Sequence, residues 1–357
     1  MKSIGKTNSK IAKSNNLNKY DSVYGKSFQT YNQDEVNLLT QNLEKRFKAN
    51  KINPRKLFND KMCLDAGCGF GAGSLFLAKN GASSINSVDI SKINIKSIKQ
   101  NAERFNFSKV IQTSKASVLD LPFKDESFDV VWCYGVIHHT SNPDKGLMEL
   151  TRVLKCNGKL IIFLYGIGGV FWYTVYRGRK FAKKIPVDYI RKVLKLCNTN
   201  IHMEHSIIDN WKTPYLCNYS NSEVQQRIKE LGLIKSEPFK FGTDWDINHR
   251  ISKFRSDKKY MGAGDLRYIF TKKTHITSTK KTKYSLHDND IKPDNKLDSF
   301  FIKQLSEYID RFELKNKKNN TLGIIFHKQL FVKVCELQRS KKEFNYEELI
   351  NFIKKIS

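Results

Sequence analysis

The stretch Met62-Cys63-Leu64-Asp65-Ala66-Gly67-Cys68-Gly69-Phe70-Gly71-Ala72-Gly73 decides how the rest of the chain reads. A short apolar run ends at an acid. Glycines follow at 67, 69, 71 and 73, and Ser74-Leu75-Phe76-Leu77-Ala78-Lys79 then has helical character. The order is strand, tight turn, helix. Glycine lets a ligand come close to the backbone. The first turn of the helix offers N–H groups and a partial positive charge to an anion or carboxylate.

Working outward, the same unit repeats. Asn80-Gly81 closes the helix. Ile85 to Asp89 reads as a second strand whose terminal acid lies twenty residues after Gly69. At that spacing a second-strand carboxylate in a βαβ unit reaches the two hydroxyls of a ribose. Ser91 caps a helix that carries Ile95, Ile98 and Ala102 on one face. Val110 to Thr113 is a third strand, leading into Ala116-Ser117-Val118-Leu119-Asp120-Leu121-Pro122-Phe123. Phe128 to Cys133 is a fourth, followed by Tyr134-Gly135-Val136-Ile137-His138-His139. Asn142-Pro143-Asp144 starts a helix, and Leu160 to Tyr165 is a fifth strand. Apolar strands alternating with helices predict an α/β fold with a parallel sheet. Right-handed crossovers bring the carboxyl ends of the strands to one edge, where ligands bind. The glycine loop, Asp89, Ser117 and the segment 134–139 all fall on that edge.

The whole chain bounds this reading. At 357 residues it exceeds one typical core, so a main domain with an addition is expected. The polar opening Met1 to Lys6 does not read as a secretory leader. Seven cysteines without a C-x-x-C pair read as reduced thiols of a cytoplasmic protein, with no metal site. The net charge is +28, yet only 13 of the 63 basic residues are Arg. The bland reading is a solvated surface. The sharper one is contact with RNA or an anionic membrane face, tempered by the scarcity of Arg, the better phosphate reader.

Four motifs in order resemble the class I S-adenosylmethionine-dependent methyltransferases. They are Leu64-Asp65-Ala66-Gly67-Cys68-Gly69-Phe70-Gly71; Val88-Asp89-Ile90-Ser91; Leu121-Pro122-Phe123 with Ser127 to Val131; and Gly135-Val136-Ile137-His138-His139. The nearest subset is the methyltransferase type 11 group that includes ubiquinone/menaquinone C-methyltransferase-like enzymes. The resemblance implies a Rossmann-like, seven-stranded, mostly parallel sheet sandwiched by helices, and S-adenosyl-L-methionine as cofactor. It implies that Gly67, Cys68, Gly69 and Gly71 hold the methionine part and that Asp65 orients its ammonium. Asp89 would bind the ribose hydroxyls, Ile90 would pack on adenine, and Ser117 and Val118 would meet the adenine edge. Tyr134 would join the cofactor side. Many relatives carry an acid where Ser117 stands, and a Pro-Gly-Gly turn where Lys155-Cys156-Asn157-Gly158 stands. His138 and His139, at the mouth, titrate in the range of a general base, against a bland reading of one packed and one solvated imidazole.

The acceptor is expected to be a small or lipid-like molecule. Val170 to Tyr176 followed by Arg177, Arg179 and Lys180 suits a pocket lid better than a membrane-peripheral helix. Trp172, Trp211 and Tyr215 are the pocket candidates. The alternatives are an RNA methyltransferase, or a non-catalytic scaffold that recruits a partner through a helical tail. The expected organisation is a disordered basic tail over 1–20 and a methyltransferase domain over 21–273 with an acceptor-side insertion at about 166–232. A linker over 274–296 and a helical module over 297–357 follow, and the oligomeric state is left open. Aromatics at 20, 24, 28 and 31 among small residues are expected to pack over some other element.

Overall fold

The computed structural model describes residues 20–29, 31–182, 186–188, 190–191, 201–237, 239 and 262–273. Residues 1–19 of the expected tail at 1–20, the linker at 274–296 and the module at 297–357 lie outside the described residues. The chain divides into two compact units. One takes residues 1–166, 214–253 and 264–287; the other takes 167–213, 254–263 and 288–357. The expected insertion at 166–232 is therefore split, and its part from 214 onward groups with the sheet.

The sheet unit holds seven strands: β1 (Met62–Ala66), β2 (Ser84–Asp89), β3 (Ile111–Lys115), β4 (Phe128–Tyr134), β5 (Leu154–Tyr165), β6 (Leu233–Glu237) and β7 (Asp265–Lys272). Their order is β3-β2-β1-β4-β5-β7-β6. The first five run parallel, and β7 is antiparallel to both β5 and β6. The expected seven-stranded, mostly parallel α/β sheet is the one observed. β5 starts earlier than its apolar run suggests, because Lys155 to Gly158 loops out within it: Phe128 pairs with Leu154 and Val130 with Lys159.

The helices of this unit are α1 (Gln33–Ala49), α2 (Pro54–Phe58), α3 (Ala72–Lys79), α4 (Lys92–Arg104) and α5 (Pro143–Val153), followed after the second unit's segment by α8 (Asn221–Glu230). Local chemistry sets their starts. Asn32 and Glu35 form a reciprocal capping box on α1. Ser91 accepts from Ile93 N and Asn94 N at the head of α4, and Asn142 accepts from Lys145 N at the head of α5. Strand order reverses at β1, so right-handed crossovers put α3 and α4 on one face and α5 on the other. Trp132 centres the first face, with Phe47, Phe58 and Phe76 at centroid distances of 6.2, 6.4 and 5.7 Å. All four are essentially inaccessible. Truncating such a ring to Ala costs about 3–5 kcal/mol.

The second unit contains α6 (Gly169–Ala182) and α7 (Ile201–Lys212). Arg179, 2% exposed, donates to Asn210 O at 2.9 Å and Thr213 O at 3.0 Å, and so satisfies carbonyls at the end of α7. Among the described residues no helix is long and apolar enough to cross a membrane.

Candidate functional site

The glycine loop is tied to the end of β2 by its own backbone. Gly67 N and Cys68 N both donate to Val88 O, at 2.8 and 3.0 Å. Gly69 N donates to Asp89 Oδ2 at 3.0 Å. The turn needs glycine at 67: φ is +84°, and a Cβ there would lie 2.5 Å from Val136. Asn101 on α4 fixes the loop from the other side by donating to Phe70 O at 2.8 Å.

Asp89 is buried, and its carboxylate accepts three hydrogen bonds, one on Oδ2 and two on Oδ1. Its Oδ1 accepts from Ser91 N at 2.8 Å and from Asn94 Nδ2 at 3.2 Å. Burial pushes its carboxyl above the usual range, and those hydrogen bonds hold the rise down. Ile90, next in sequence, is 38% exposed, an aliphatic side chain left open beside a buried acid. Ala116 N donates to Asp89 O at 3.1 Å and brings the Ser117–Asp120 turn alongside. In that turn Ser117 Oγ accepts from Leu119 N at 3.2 Å, and Val118 is buried.

Asp65, the next-to-last residue of β1, is 2% exposed. Its Oδ2 accepts from Ser74 Oγ at 2.6 Å, and Ser74 Oγ lies 2.7 Å from Ser87 Oγ. Burial pushes Asp65 up to about 7. Gly71, at the N-cap of α3, gives that helix no side-chain cap. Asp65 supplies one instead, because the Ser74 backbone N–H also donates to it.

The segment after β4 forms a 3-10 turn over Ile137–His139. The bland reading of one packed and one solvated imidazole is corrected in its second part, because both rings are buried: His138 is 0% and His139 4% exposed. His138 packs on Tyr165 and Phe163, with centroids at 4.1 and 6.0 Å. His139 Nδ1 lies 3.1 Å from Tyr215 O, and Cys217 N donates to His138 O at 2.9 Å. A carbonyl partner makes Nδ1 the protonated nitrogen, so Nε2 carries the basic lone pair of the neutral ring. Tyr134 is half-buried between Trp132 and Phe163, and the Arg46 guanidinium sits 5.9 Å from its ring centre.

The aromatic N-terminal stretch roofs this edge. Residues Asp21–Gly25 and Lys26–Gln29 are helical. Tyr24 lies 6.1 Å from His139, and Phe28 lies 5.0 Å from Phe70. The Tyr20 hydroxyl donates to His139 O, and the Ser91 hydroxyl donates to Asp21. The spacing of 20, 24 and 28 put these rings on one helical face, but sequence did not reveal what they cover.

The sheet unit thus gathers Asp65, Gly67, Cys68, Gly69, Gly71, Asp89, Ile90, Ser117, Val118, Tyr134, His138, His139 and Tyr215. Trp172 and Trp211 are buried in the other unit. Among the described residues no group of three or more His, Cys, Asp or Glu could hold a metal. The donor set fits a nucleoside joined to an amino acid: an acid beside an open aliphatic surface, a close-approach glycine turn and a second buried acid.

Residues 64–162 match a family model described as a methyltransferase domain. Over 103 residues the chain is 41% identical to 2-phytyl-1,4-naphtoquinone methyltransferase of a Nostoc species, covering 28% of this chain and 44% of that protein. It is 34% identical over 153 residues to an uncharacterized protein of Methanocaldococcus jannaschii, covering 42% and 56%. It is 28% identical over 98 residues to glycine/sarcosine/dimethylglycine N-methyltransferase of Actinopolyspora halophila, covering 28% and 17%. The chain spans little more than half the length of these relatives at most. Among solved structures, a putative sarcosine dimethylglycine methyltransferase from Galdieria sulphuraria aligns at 19% identity with a TM-score of 0.40, over 67% of this chain and 84% of that one.

Proposed function

We propose, from the class I S-adenosylmethionine-dependent methyltransferase domain that this chain carries, that it moves the methyl group of S-adenosylmethionine to a small-molecule acceptor. The observation that carries this reading is the Gly69 N–H to Asp89 bond, with Ile90 open beside it. It joins the glycine turn and the second-strand acid into one cradle. The relatives named above, which act on a naphthoquinone and on amino-acid amines by their names, support a small acceptor.

When bound, S-adenosylmethionine supplies a methyl group activated by a sulfonium leaving group. The chain's residues have to bind, orient and exclude water. Asp89 accepts the ribose hydroxyls, and Ile90 and Val118 flank the adenine. Ser117, with its oxygen already accepting from Leu119 N, keeps a proton to donate to a ring nitrogen. The loop backbone at Gly67, Cys68, Gly69 and Gly71 takes the methionine part, and Asp65 faces its ammonium. Tyr134 walls the transfer side. His139 holds the proton of an acidic acceptor on Nε2, while His138, sealed among aromatic rings, sets the 3-10 turn. Tyr215 lies on the acceptor side through its carbonyl bond to His139.

The test is calorimetric binding of S-adenosylmethionine and S-adenosylhomocysteine to the purified chain, followed by tracking of a labelled methyl group in cell extract. Micromolar binding and a labelled small molecule are expected. Label appearing in RNA would replace the acceptor class, and failure of both ligands to bind would leave the scaffold reading.

A further inference from the structure

A buried hydroxyl chain runs from β2 through α3 to the acid at the end of β1. Ser74 and Ser87 are both 0% exposed. Asp65 pairs with Ser87 in the β1–β2 register, so the two side chains stand on the same sheet face. Ser74, in the first turn of α3, bridges them. Gly73 allows this closeness: a Cβ there would lie 2.9 Å from Asp65 Oδ2 and 2.7 Å from Trp132 Nε1.

Proton counting fixes the direction of the chain. Ser74 has one hydroxyl proton and two oxygen neighbours, at 2.6 and 2.7 Å. When Asp65 is ionised, Ser74 donates to it and Ser87 donates to Ser74. When Asp65 carries a proton, it donates to Ser74, and Ser74 turns its own proton to Ser87. Both arrangements use the same atoms at the same distances, so either charge state is accommodated without moving a side chain. A single apolar residue at either position would remove this freedom.

We propose that Ser74 and Ser87 are positioning residues for Asp65, and that their hydroxyl chain reverses as Asp65 loses its proton, coupling release of one proton to binding of an ammonium-bearing ligand. The proton leaves to solvent, and the carboxylate that remains faces the incoming cation. This rests on the reading of Asp65 as the ammonium partner given above. The groups that face Asp65 agree with it. Asp89 on β2 opposes its ionisation, and the thiols of Cys63 on β1, Cys68 in the loop and Cys133 on β4 are themselves pushed up by burial and stay neutral. An acid held near neutrality by burial and by a like charge is poised to respond to a cation.

The two serines have opposite expected effects, which a purely structural role would not produce. Ser74→Ala removes a charge-assisted bond from the ionised form and a weaker neutral one from the protonated form, so the midpoint of Asp65 should rise by about one pH unit. Ser87→Ala takes a bond from both forms, but only the protonated form is left with a buried Ser74 proton that has no acceptor, so the midpoint should fall by roughly half a unit. The first readout is a carboxyl carbon NMR titration of the ligand-free chain from pH 5 to 9, with Asp65→Asn assigning the resonance. The second is calorimetry of S-adenosylhomocysteine at pH 7 in phosphate and in Tris, which counts protons released. The wild-type chain should release a fraction of one proton. Ser74→Ala should release nearly one and bind up to about tenfold more weakly, and Ser87→Ala should release less than wild type. Asp65 titrating below pH 5 in all three chains, or both variants moving the midpoint the same way, overturns the inference. If wild type does not bind S-adenosylhomocysteine, the proposed function fails, while the ligand-free titration still decides the hydroxyl chain.

Discussion

The two halves of the sheet's ligand edge are built from opposite chemistry. At β1 and β2 the buried charges are acids, Asp65 and Asp89, each above its ordinary range because burial outweighs its hydrogen bonds. At β4, β5 and β7 the buried charges are cations lying on rings. Arg267, ion-paired with Asp265, sits 4.8 Å from the Phe163 ring centre, and Arg46 lies over Tyr134. Tyr165, His138 and His139 complete that half. Acids that pair with no cation among the described residues suit a ligand that brings hydroxyls and an ammonium. Rings already occupied by arginines give a rigid, water-poor wall. On the proposed function, recognition falls to one half and the transfer step to the other, so substitutions in the two halves should separate affinity from turnover.

The largest effect tests the first half. Asp89→Ala should weaken S-adenosylhomocysteine binding by about 10²–10⁴-fold, because two charge-assisted hydrogen bonds are lost at ~1.5–3 kcal/mol each. Calorimetry on a variant whose circular dichroism matches wild type is the measurement. Unchanged affinity would remove Asp89 from the site and dissolve the division between the halves.

His139→Gln tests the second half. Turnover should fall by about 10²-fold when the acceptor must lose a proton, with cofactor affinity within a factor of two or so of wild type. Steady-state kinetics with the identified acceptor would show it. A loss of cofactor affinity instead of turnover would move His139 to the recognition half.

Asp65→Asn probes what the recognition half costs in stability. The folded chain keeps a proton on Asp65 that the unfolded chain gives up between about pH 4 and 7. Wild-type stability should therefore drop as pH rises through that window, and the deficit is complete above about 7. Asparagine does not titrate and still accepts from Ser74. At pH 8 the variant should be more stable by about 1–3 kcal/mol, and the gap should close toward pH 5. Denaturant melts at the two pH values decide it; a gap that widens on acidification has the wrong sign for a buried, strained acid.

How far the sequence exposed these halves depends on the range of the interaction. The glycine turn, the strand ends and the caps at Ser91 and Asn142 are local features, and period and composition showed them. The parallel α/β sheet followed from apolar runs alternating with helices and its seven strands from the resemblance, whereas the strand order came only with the structure. The hydroxyl chain was hidden, because Ser74 and Ser87 meet Asp65 only once the β1–β2 register is fixed. The histidines were misjudged for a similar reason. A His-His pair after a strand looks open until the return of residues 215–217 and the N-terminal rings close over it. Lys155 to Gly158 reads as a turn and is one, but backbone pairing resumes on both sides and extends β5 back to Leu154.

The smallest expected effect concerns the roof that spans both halves. Tyr24 touches the transfer side at His139, and Phe28 touches the recognition side at Phe70. Phe28 also lies against the loop, since a Cβ on Gly69 would come within 2.9 Å of its ring. A ligand reaching that backbone has to share the space with Phe28. An aromatic pair contributes about 0.5–1.5 kcal/mol beyond its area, so Phe28→Ala should speed ligand release by roughly threefold to tenfold and leave the association rate nearly unchanged. Stopped-flow displacement of bound S-adenosylhomocysteine measures the rate. Hydrogen exchange at the amides of 20–29 should slow when ligand is added to wild type and not to the variant. If Tyr24→Ala reproduces the same change while Phe28→Ala does nothing, the roof acts through the transfer half alone, and the cofactor side closes by some other element.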